Sequence, residues 1–404
     1  MATRKVTDMG WGQADALWFY TALPEPMLSS ELERLAFATS FTDTDVVSFQ
    51  PCPNPEHSSQ DRYVIRDWAL PGGNWGFRAI FDGHAGHETA DYTASTLPDI
   101  IQEKLASVLE KNSEPSPAII AETLSKAISD FDDSIGEALL KLFPDKLALL
   151  DMPDEDVKSI INDGGPNAAT VLHCMRGTTV LISVTDPSRK NLWVASLGDC
   201  AAILGTKNEN GSWKSTILSS SHNGENPLEA EKVKKAHPGE PECVLEDRVL
   251  GAIAVTRAVG DYYFKIPALY THRVFLNAEP GFQSPEKVRS FISRNLTPPY
   301  MSGVPDVQHI DLSKSKESET FLILCTDGLI DCYDDHRLRL AEYLGPLWVK
   351  IVGRQSGDAS KNLALTLLRD ALGGDDLDKV SRNITVEMTF RWMDDTTIVV
   401  HRLH

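Results

Sequence analysis

The sequence predicts an α+β fold, and three observations predict it. Short apolar segments with strand character are distributed through the chain from Val46 onward. Helical patterns, with apolar residues recurring every three or four positions, fall between them in blocks. The two do not alternate as regular βαβ units, so sheets packed together with helices outside are expected.

Composition bounds the function. With 42% hydrophobic and 24% charged residues the chain is of the globular kind and can bury a core. Its formal net charge of −19 argues against nucleic acid or an anionic membrane as principal partner, and for cations or a basic partner. The six cysteines (52, 174, 200, 243, 325 and 332) contain no C-x-x-C pair and no zinc spacing, and read as reduced thiols. Nowhere do 18 apolar residues run together, so no membrane span is expected. Residues 1–20 carry Arg4 and Lys5 without an apolar stretch and include Asp8 and Asp15, which points to the cytoplasm.

Taken in order, residues 1–45 read as an N-terminal extension, with Pro24, Pro26 and a helical stretch around Glu31–Ala38. Residues 46–404 read as one domain. Its expected strands are Tyr63–Ile65, Phe77–Phe81, Thr179–Val184, Leu192–Leu197, Ala201–Leu204, Phe321–Cys325 and Thr397–Val400. Its expected helices are His87–Leu97, Ile100–Glu110, Pro117–Leu142, Leu228–Ala236, Glu286–Ser293 and Lys361–Leu372. There is no internal repeat.

Aspartates recur at strand ends. Phe77–Phe81 stops at Asp82-Gly83-His84, and Phe321–Cys325 stops at Thr326-Asp327-Gly328-Leu329-Ile330-Asp331. Leu192–Leu197 stops at Gly198-Asp199 before Ala201–Leu204, which reads as a hairpin. Asp394-Asp395 precedes the closing strand. Singly, each such aspartate reads as a turn residue capping its own backbone. Together, if the strands bring them to one edge, they make an oxygen-only site for Mg²⁺ or Mn²⁺. Such ions lower the pKa of a bound water and clamp a phosphoryl group, with His84 near enough to donate a proton.

Other chemistries lack their motifs. There is no G-x-x-x-x-G-K-[ST] loop, no H-E-x-x-H and no G-x-S-x-G elbow. No cysteine has the arginine six residues on that a cysteine phosphatase needs.

Six segments in order resemble the metal-dependent Ser/Thr protein phosphatases of the PPM family, also called type 2C. They are Phe81-Asp82-Gly83-His84-Ala85-Gly86, Gly177-Thr178-Thr179, Gly198-Asp199-Cys200, the run from Leu250 to Gly260-Asp261, Asp327-Gly328-Leu329-Ile330-Asp331, and Asp394-Asp395-Thr396-Thr397. The likeness covers roughly residues 46–402. His222-Asn223 and Pro298-Pro299-Tyr300 make it most similar to the pyruvate dehydrogenase phosphatase branch, which suggests the mitochondrial matrix as the alternative compartment.

The resemblance implies a four-layer α-β-β-α sandwich of two antiparallel sheets flanked by helices. It implies a binuclear Mg²⁺ or Mn²⁺ site with a weaker third ion, and phosphorylated proteins as substrates. Asp82 would bridge two metals, the Gly83 carbonyl would bind one, and Asp327 and Asp394 would complete the other. Asp199 and Asp331 would help hold the third, Asp61, Gln60 and Asp395 would lie beside the ligands, and His84 would be the general acid. Residues 206–247 would be the variable flap. No residue is assigned to substrate binding, and the oligomeric state is not read.

Two positions depart from the family. A glutamate position falls on Gln60, removing a ligand charge, and a phosphate-binding arginine position falls on Glu56. Two readings therefore stand: an active phosphatase, or a weak or inactive member that binds phosphoproteins or a partner. Trp193, Cys200 and Cys325 read as core, His87 as a helix residue and Lys232–Lys235 as a solvated helix face, while His173 and His222 are unassigned.

Overall fold

The computed structural model describes residues 1–10, 16–112, 114–313, 319–333 and 340–403, and Asp15 lies outside them. The chain divides into two compact units. The first is drawn from Met1–Asp61, Ala201–Leu218 and Asp311–His404, the second from Arg62–Cys200 and Ser219–Ile310.

The first unit is built on a six-stranded sheet, in spatial order Trp213–Ile217, Ala201–Lys207, Thr320–Cys325, Thr396–Arg402, Thr44–Phe49 and Thr39–Ser40. All its pairings are antiparallel. Thr320–Cys325 is buried along its whole length, which is why it reads as an unbroken apolar run rather than an alternation. Helices Gly345–Gly353 and Leu363–Leu372 pack against this sheet. Their Trp348, Val352, Leu367 and Leu368 share its core with Phe49 and Phe321.

The second unit is built on a five-stranded sheet, Asp306–Asp311, Asn191–Leu197, Val180–Thr185, Gly73–Phe81 and Arg62–Leu70. Helices Glu88–Lys111 and Pro117–Leu142 cover it, burying Ile101, Leu105, Ile128 and Phe131 with Phe77 and Phe81. Helix Pro117–Leu142 starts on a proline, whose missing N–H is no loss in a first turn. It buries Ile120, Leu124, Ala127, Ile128, Phe131, Ile135 and Leu139, one stripe at three- and four-residue spacing. A small three-stranded sheet joins Gly83–His84, Gly177–Thr178 and Val259–Gly260.

The α+β class is borne out, with helices packed on an antiparallel sheet in each unit. Several local expectations are corrected. Leu192–Leu197 and Ala201–Leu204 do not form a hairpin, because the first pairs with Val180–Thr185 and the second with Thr320–Cys325. Gly198, at φ 110°, sits in the segment that carries the chain from one sheet to the other. The two helices expected either side of Pro98 are a single helix, Glu88–Lys111, which runs through the proline. Strands Trp213–Ile217 and Asp306–Asp311 were not anticipated, since part-exposed strands with polar residues carry no apolar period.

Residues 1–45 hold antiparallel strands Thr3–Thr7 and Trp18–Ala22 and helix Met27–Leu35, whose Leu28 and Leu32 are in the first unit's core. Within the 206–247 segment, the stretch to Leu218 belongs to the first unit and the rest, including helix Pro227–Ala236, to the second. Among the described residues no helix is long and apolar enough to cross a membrane.

Candidate active site

In the first unit, antiparallel pairing of Cys325 with Ile398 and of Thr396 with Phe49 puts Asp327, Asp394-Asp395 and the chain after Phe49 at one sheet edge. Asp395 is its most elaborately held group. Its Oδ2 accepts the Gln60 N–H at 2.8 Å and faces Arg391 at 3.0 Å, while its Oδ1 accepts from the Gln50 amide at 2.8 Å. Asp395 gives its own N–H to Asp394 Oδ1 at 2.8 Å. Thr326 Oγ1 donates to buried Asp61 at 3.0 Å and accepts the Thr397 N–H at 2.9 Å. Burial, with Asp395 and Asp394 nearby, pushes the Asp61 carboxyl up to about 8.

Asp327 begins the short helix Gly328–Asp331, and Asp331 ends it, giving its N–H to the Asp327 carbonyl at 3.0 Å. Gly328 is required there, since a Cβ would meet the Asp395 carbonyl oxygen at 2.1 Å. Glu56 lies exposed on the turn Pro55–His57.

In the second unit, Ile80 pairs with Leu181 and Leu197 with Val180, so Asp82, Thr179 and Gly198-Asp199 share one sheet edge. The Asp82 carbonyl accepts the Thr179 N–H at 2.9 Å and the Thr178 hydroxyl at 3.0 Å, which fixes the main chain that presents the Asp82 carboxylate. Gly83 and His84 lie opposite Thr178 and Gly177 in the small sheet. His84 Nε2 is 2.6 Å from Oδ2 of the fully buried Asp261.

Asp199 Oδ2 accepts from the Asn223 amide at 3.0 Å. The neighbouring His222 clamps the same turn, with its N–H on the Gly198 carbonyl at 2.9 Å and its Nδ1 accepting the Gly198 N–H at 3.2 Å. A backbone N–H can only donate, so Nδ1 is bare and the proton sits on Nε2, which donates to Asp306 at 3.0 Å. Burial lowers the pKa of His222, and the imidazole is neutral. Arg257 holds Asp306 at 3.0 Å and is bidentate to Glu229 of helix Pro227–Ala236, at 2.8 and 2.9 Å. Burial works to raise the Glu229 carboxyl, yet hydrogen bonds from Arg257 and Lys232 hold it at about 2.

Each edge offers carboxylate and carbonyl oxygens, the donor chemistry that hard divalent cations take. Burial does most to raise Asp61, and the part added by Asp395 and Asp394 is charge a divalent cation would neutralise. Among the described residues no three His, Cys, Asp or Glu side chains converge as a ready-made cage, so the fit is one of donor type.

The protein phosphatase 2C family model matches residues 47–339, most of the chain. The chain belongs to the protein phosphatase 2C family. Its class of activity is that of a protein serine/threonine phosphatase. A protein phosphatase 2C homolog of Schizosaccharomyces pombe is 28% identical over 88% of this chain and 78% of its own length. The mitochondrial pyruvate dehydrogenase (acetyl-transferring) phosphatase 1 of Saccharomyces cerevisiae is 28% identical over 63% of this chain, which spans only 41% of that protein. A solved structure of a C. elegans sex determining protein matches at TM-score 0.52 and 18% identity, over 91% of this chain and 66% of that one, a likeness of fold alone.

Within this phosphatase fold, Trp193, Cys200 and Cys325 are core, as expected. His87 pairs with Asp91 on an exposed face, and His173 stacks on Tyr92 at 4.2 Å. Sequence reasoning missed Asp261, Glu229, Arg257 and Asp306 as members of the site's support. Asp261 carried a signal, since it closes a motif with the same Gly-Asp step as Gly198-Asp199.

Proposed function

We propose that this phosphatase hydrolyses phosphoserine and phosphothreonine esters in proteins, with Asp82, the Gly83 carbonyl, Asp327 and Asp394 as ligands of two Mg²⁺ or Mn²⁺ ions. Asp199 and Asp331 are the ligand positions for a weaker third. Bound there, the ions supply Lewis-acid stabilisation of the phosphoryl oxygens and a water acidic enough to attack near neutral pH. The chain's own part is to hold these oxygens still. Thr178 and Thr179 fix the Asp82 main chain, Asn223 and His222 fix the Asp199 turn, and Gln60, Gln50 and Arg391 fix Asp395 beside Asp394. His84, part-exposed, is the proton donor to the leaving serine or threonine oxygen.

The observation that carries this reading is that each main sheet gathers its motif aspartates at one edge. The substrate class is a phosphorylated protein. The yeast relative is named for a phosphorylated dehydrogenase in mitochondria, and a C-terminal fluorescent fusion decides between that compartment and the cytoplasm.

Gln60 and Glu56 favour the rival reading, a phosphoprotein-binding member with little or no turnover. Hydrolysis of a phosphothreonine peptide with Mn²⁺, with Mg²⁺ and with chelator tests the two. Turnover that needs the metal supports the enzyme; folded protein without turnover up to millimolar Mn²⁺, yet retaining the phosphopeptide, supports the binding module.

A further inference from the structure

We infer that Asp261 is the positioning residue for His84, and that its carboxylate holds the Nε2–H so that Nδ1 carries the proton given to the leaving group. The inference rests on the reading of His84 as general acid.

The geometry is built for this pair. Gly83–His84 and Val259–Gly260 flank Gly177–Thr178 in the small sheet, with His84 and Gly260 both registered on Gly177. The residue after Gly260 is Asp261, so one glycine brings together side chains 177 residues apart in sequence. A Cβ on Gly177 would fall 2.1 Å from Asp261 Oδ2 and 2.1 Å from His84 Nε2, so any other residue would occupy the hydrogen bond itself.

Asp261 is anchored through its backbone and through Oδ2, the oxygen on His84. Its backbone is left-handed at φ 51°, a conformation asparagine and aspartate tolerate better than most residues. Its N–H is taken by the Arg176 carbonyl at 3.0 Å. The preceding Gly260 gives its N–H to buried Asp132 at 2.9 Å, and Lys265 neutralises Asp132 at 2.7 Å. The carboxylate has no exposure, whereas the His84 side chain is 27% exposed. The imidazole thus reaches solvent from a fixed base.

A carboxylate behind an imidazole selects the tautomer and steadies the imidazolium without itself taking the proton. Here the Asp261 oxygen accepts from Nε2, and in the imidazolium the other ring proton is on Nδ1. As the bond from phosphorus to the serine or threonine oxygen breaks, that oxygen takes the Nδ1 proton and leaves as the hydroxyl. His84 becomes neutral with Nε2–H still on Asp261, the oxygen of water forms the new bond to phosphorus, and the proton shed by that water restores the imidazolium. One ester and one water yield one alcohol and one phosphate.

The experiment compares two leaving groups in wild type, Asp261→Asn, His84→Ala and the double variant, each with saturating Mn²⁺. A threonine alkoxide needs the proton, whereas p-nitrophenolate departs without it. Asp261→Asn should lower kcat on a phosphothreonine peptide about tenfold or more, with KM unchanged and a several-fold smaller loss on p-nitrophenyl phosphate. The double variant should be no slower than His84→Ala, since the two groups act as one unit. Equal losses on both substrates, or losses that multiply in the double variant, overturn the inference. Wild type without turnover would instead defeat the phosphatase reading on which it rests.

A second measurement needs no folded variant at Asp261. Long-range ¹H–¹⁵N spectra of wild-type imidazoles, with His84→Gln for assignment, should show neutral His84 protonated on Nε2. Protonation on Nδ1 overturns the inference.

Discussion

Gln60 gives its backbone N–H to the Asp395 Oδ2 at 2.8 Å, so a main-chain group at the position of a family glutamate braces a carboxylate of the closing motif. That contact survives any residue but proline at position 60. Gln60→Glu would therefore restore a charge without dismantling the edge. It adds a negative group next to Asp61, whose carboxyl is already held up at about 8 by burial and by Asp395 and Asp394. We expect a lower half-saturating Mn²⁺ concentration in a titration of activity, by about threefold to tenfold, and a lower Tm in chelator. An unchanged titration would remove residue 60 from the metal's surroundings.

Glu229 makes stability depend on pH. Its carboxyl is held at about 2 against an ordinary 4.5, so its stabilisation is present above 4.5 and lost as pH falls from 4.5 towards 2. Glu229→Gln keeps the shape and removes the charge facing Arg257. It should lower Tm by several degrees at pH 7, equivalent to about 2 kcal/mol for a charged hydrogen-bonded pair. The gap to wild type should close as pH falls below 4.5. Parallel Tm curves between pH 7 and 3 would refute the assignment.

How much of this was legible in the sequence follows from the range of each interaction. Asp82, Asp199, Asp327 and Asp394 could be picked out because each ends or begins a strand, a pattern confined to a few neighbouring residues. Helix Pro117–Leu142 could be bounded to the residue because its apolar stripe and N-terminal proline are local. The Gly198-Asp199 segment looked like a hairpin because two apolar runs flank a turn, and nothing local says that the runs join different sheets. Asp261 could not be tied to His84, since their meeting depends on strand register at Gly177. The Glu229, Arg257, Asp306 and His222 chain is likewise assembled only by tertiary structure.

Gly136, inside helix Pro117–Leu142, is a packing requirement. A Cβ there would lie 2.0 Å from the Tyr262 ring, whose hydroxyl is bonded to the Asp132 carbonyl. Helix propensity alone would make Gly136→Ala stabilising, by up to about 1 kcal/mol. The clash reverses the sign, and we expect a loss of about 1–3 kcal/mol in denaturant unfolding, as for other overpacked cores. A gain in stability would show that Tyr262 can move aside.

Thiol reactivity should sort by burial. Cys52 and Cys332 are part-exposed, whereas Cys174, Cys200, Cys243 and Cys325 are buried. Burial pushes the Cys174, Cys243 and Cys325 thiols above their ordinary range, so thiolate is scarce as well as hidden. An aromatic disulfide reagent should react first at Cys52 and Cys332 and reach the other four only in denaturant. Rapid labelling of Cys325 in native protein would contradict the core placement.

The most direct test of the central claim is phosphate release from a phosphothreonine peptide at graded Mn²⁺ by wild type, Asp82→Ala and Asp327→Ala, with folding of each checked by circular dichroism. The account predicts metal-dependent turnover by wild type and a loss of at least about a hundredfold in both folded variants. Turnover retained by either variant, or unaffected by chelator in wild type, would contradict it.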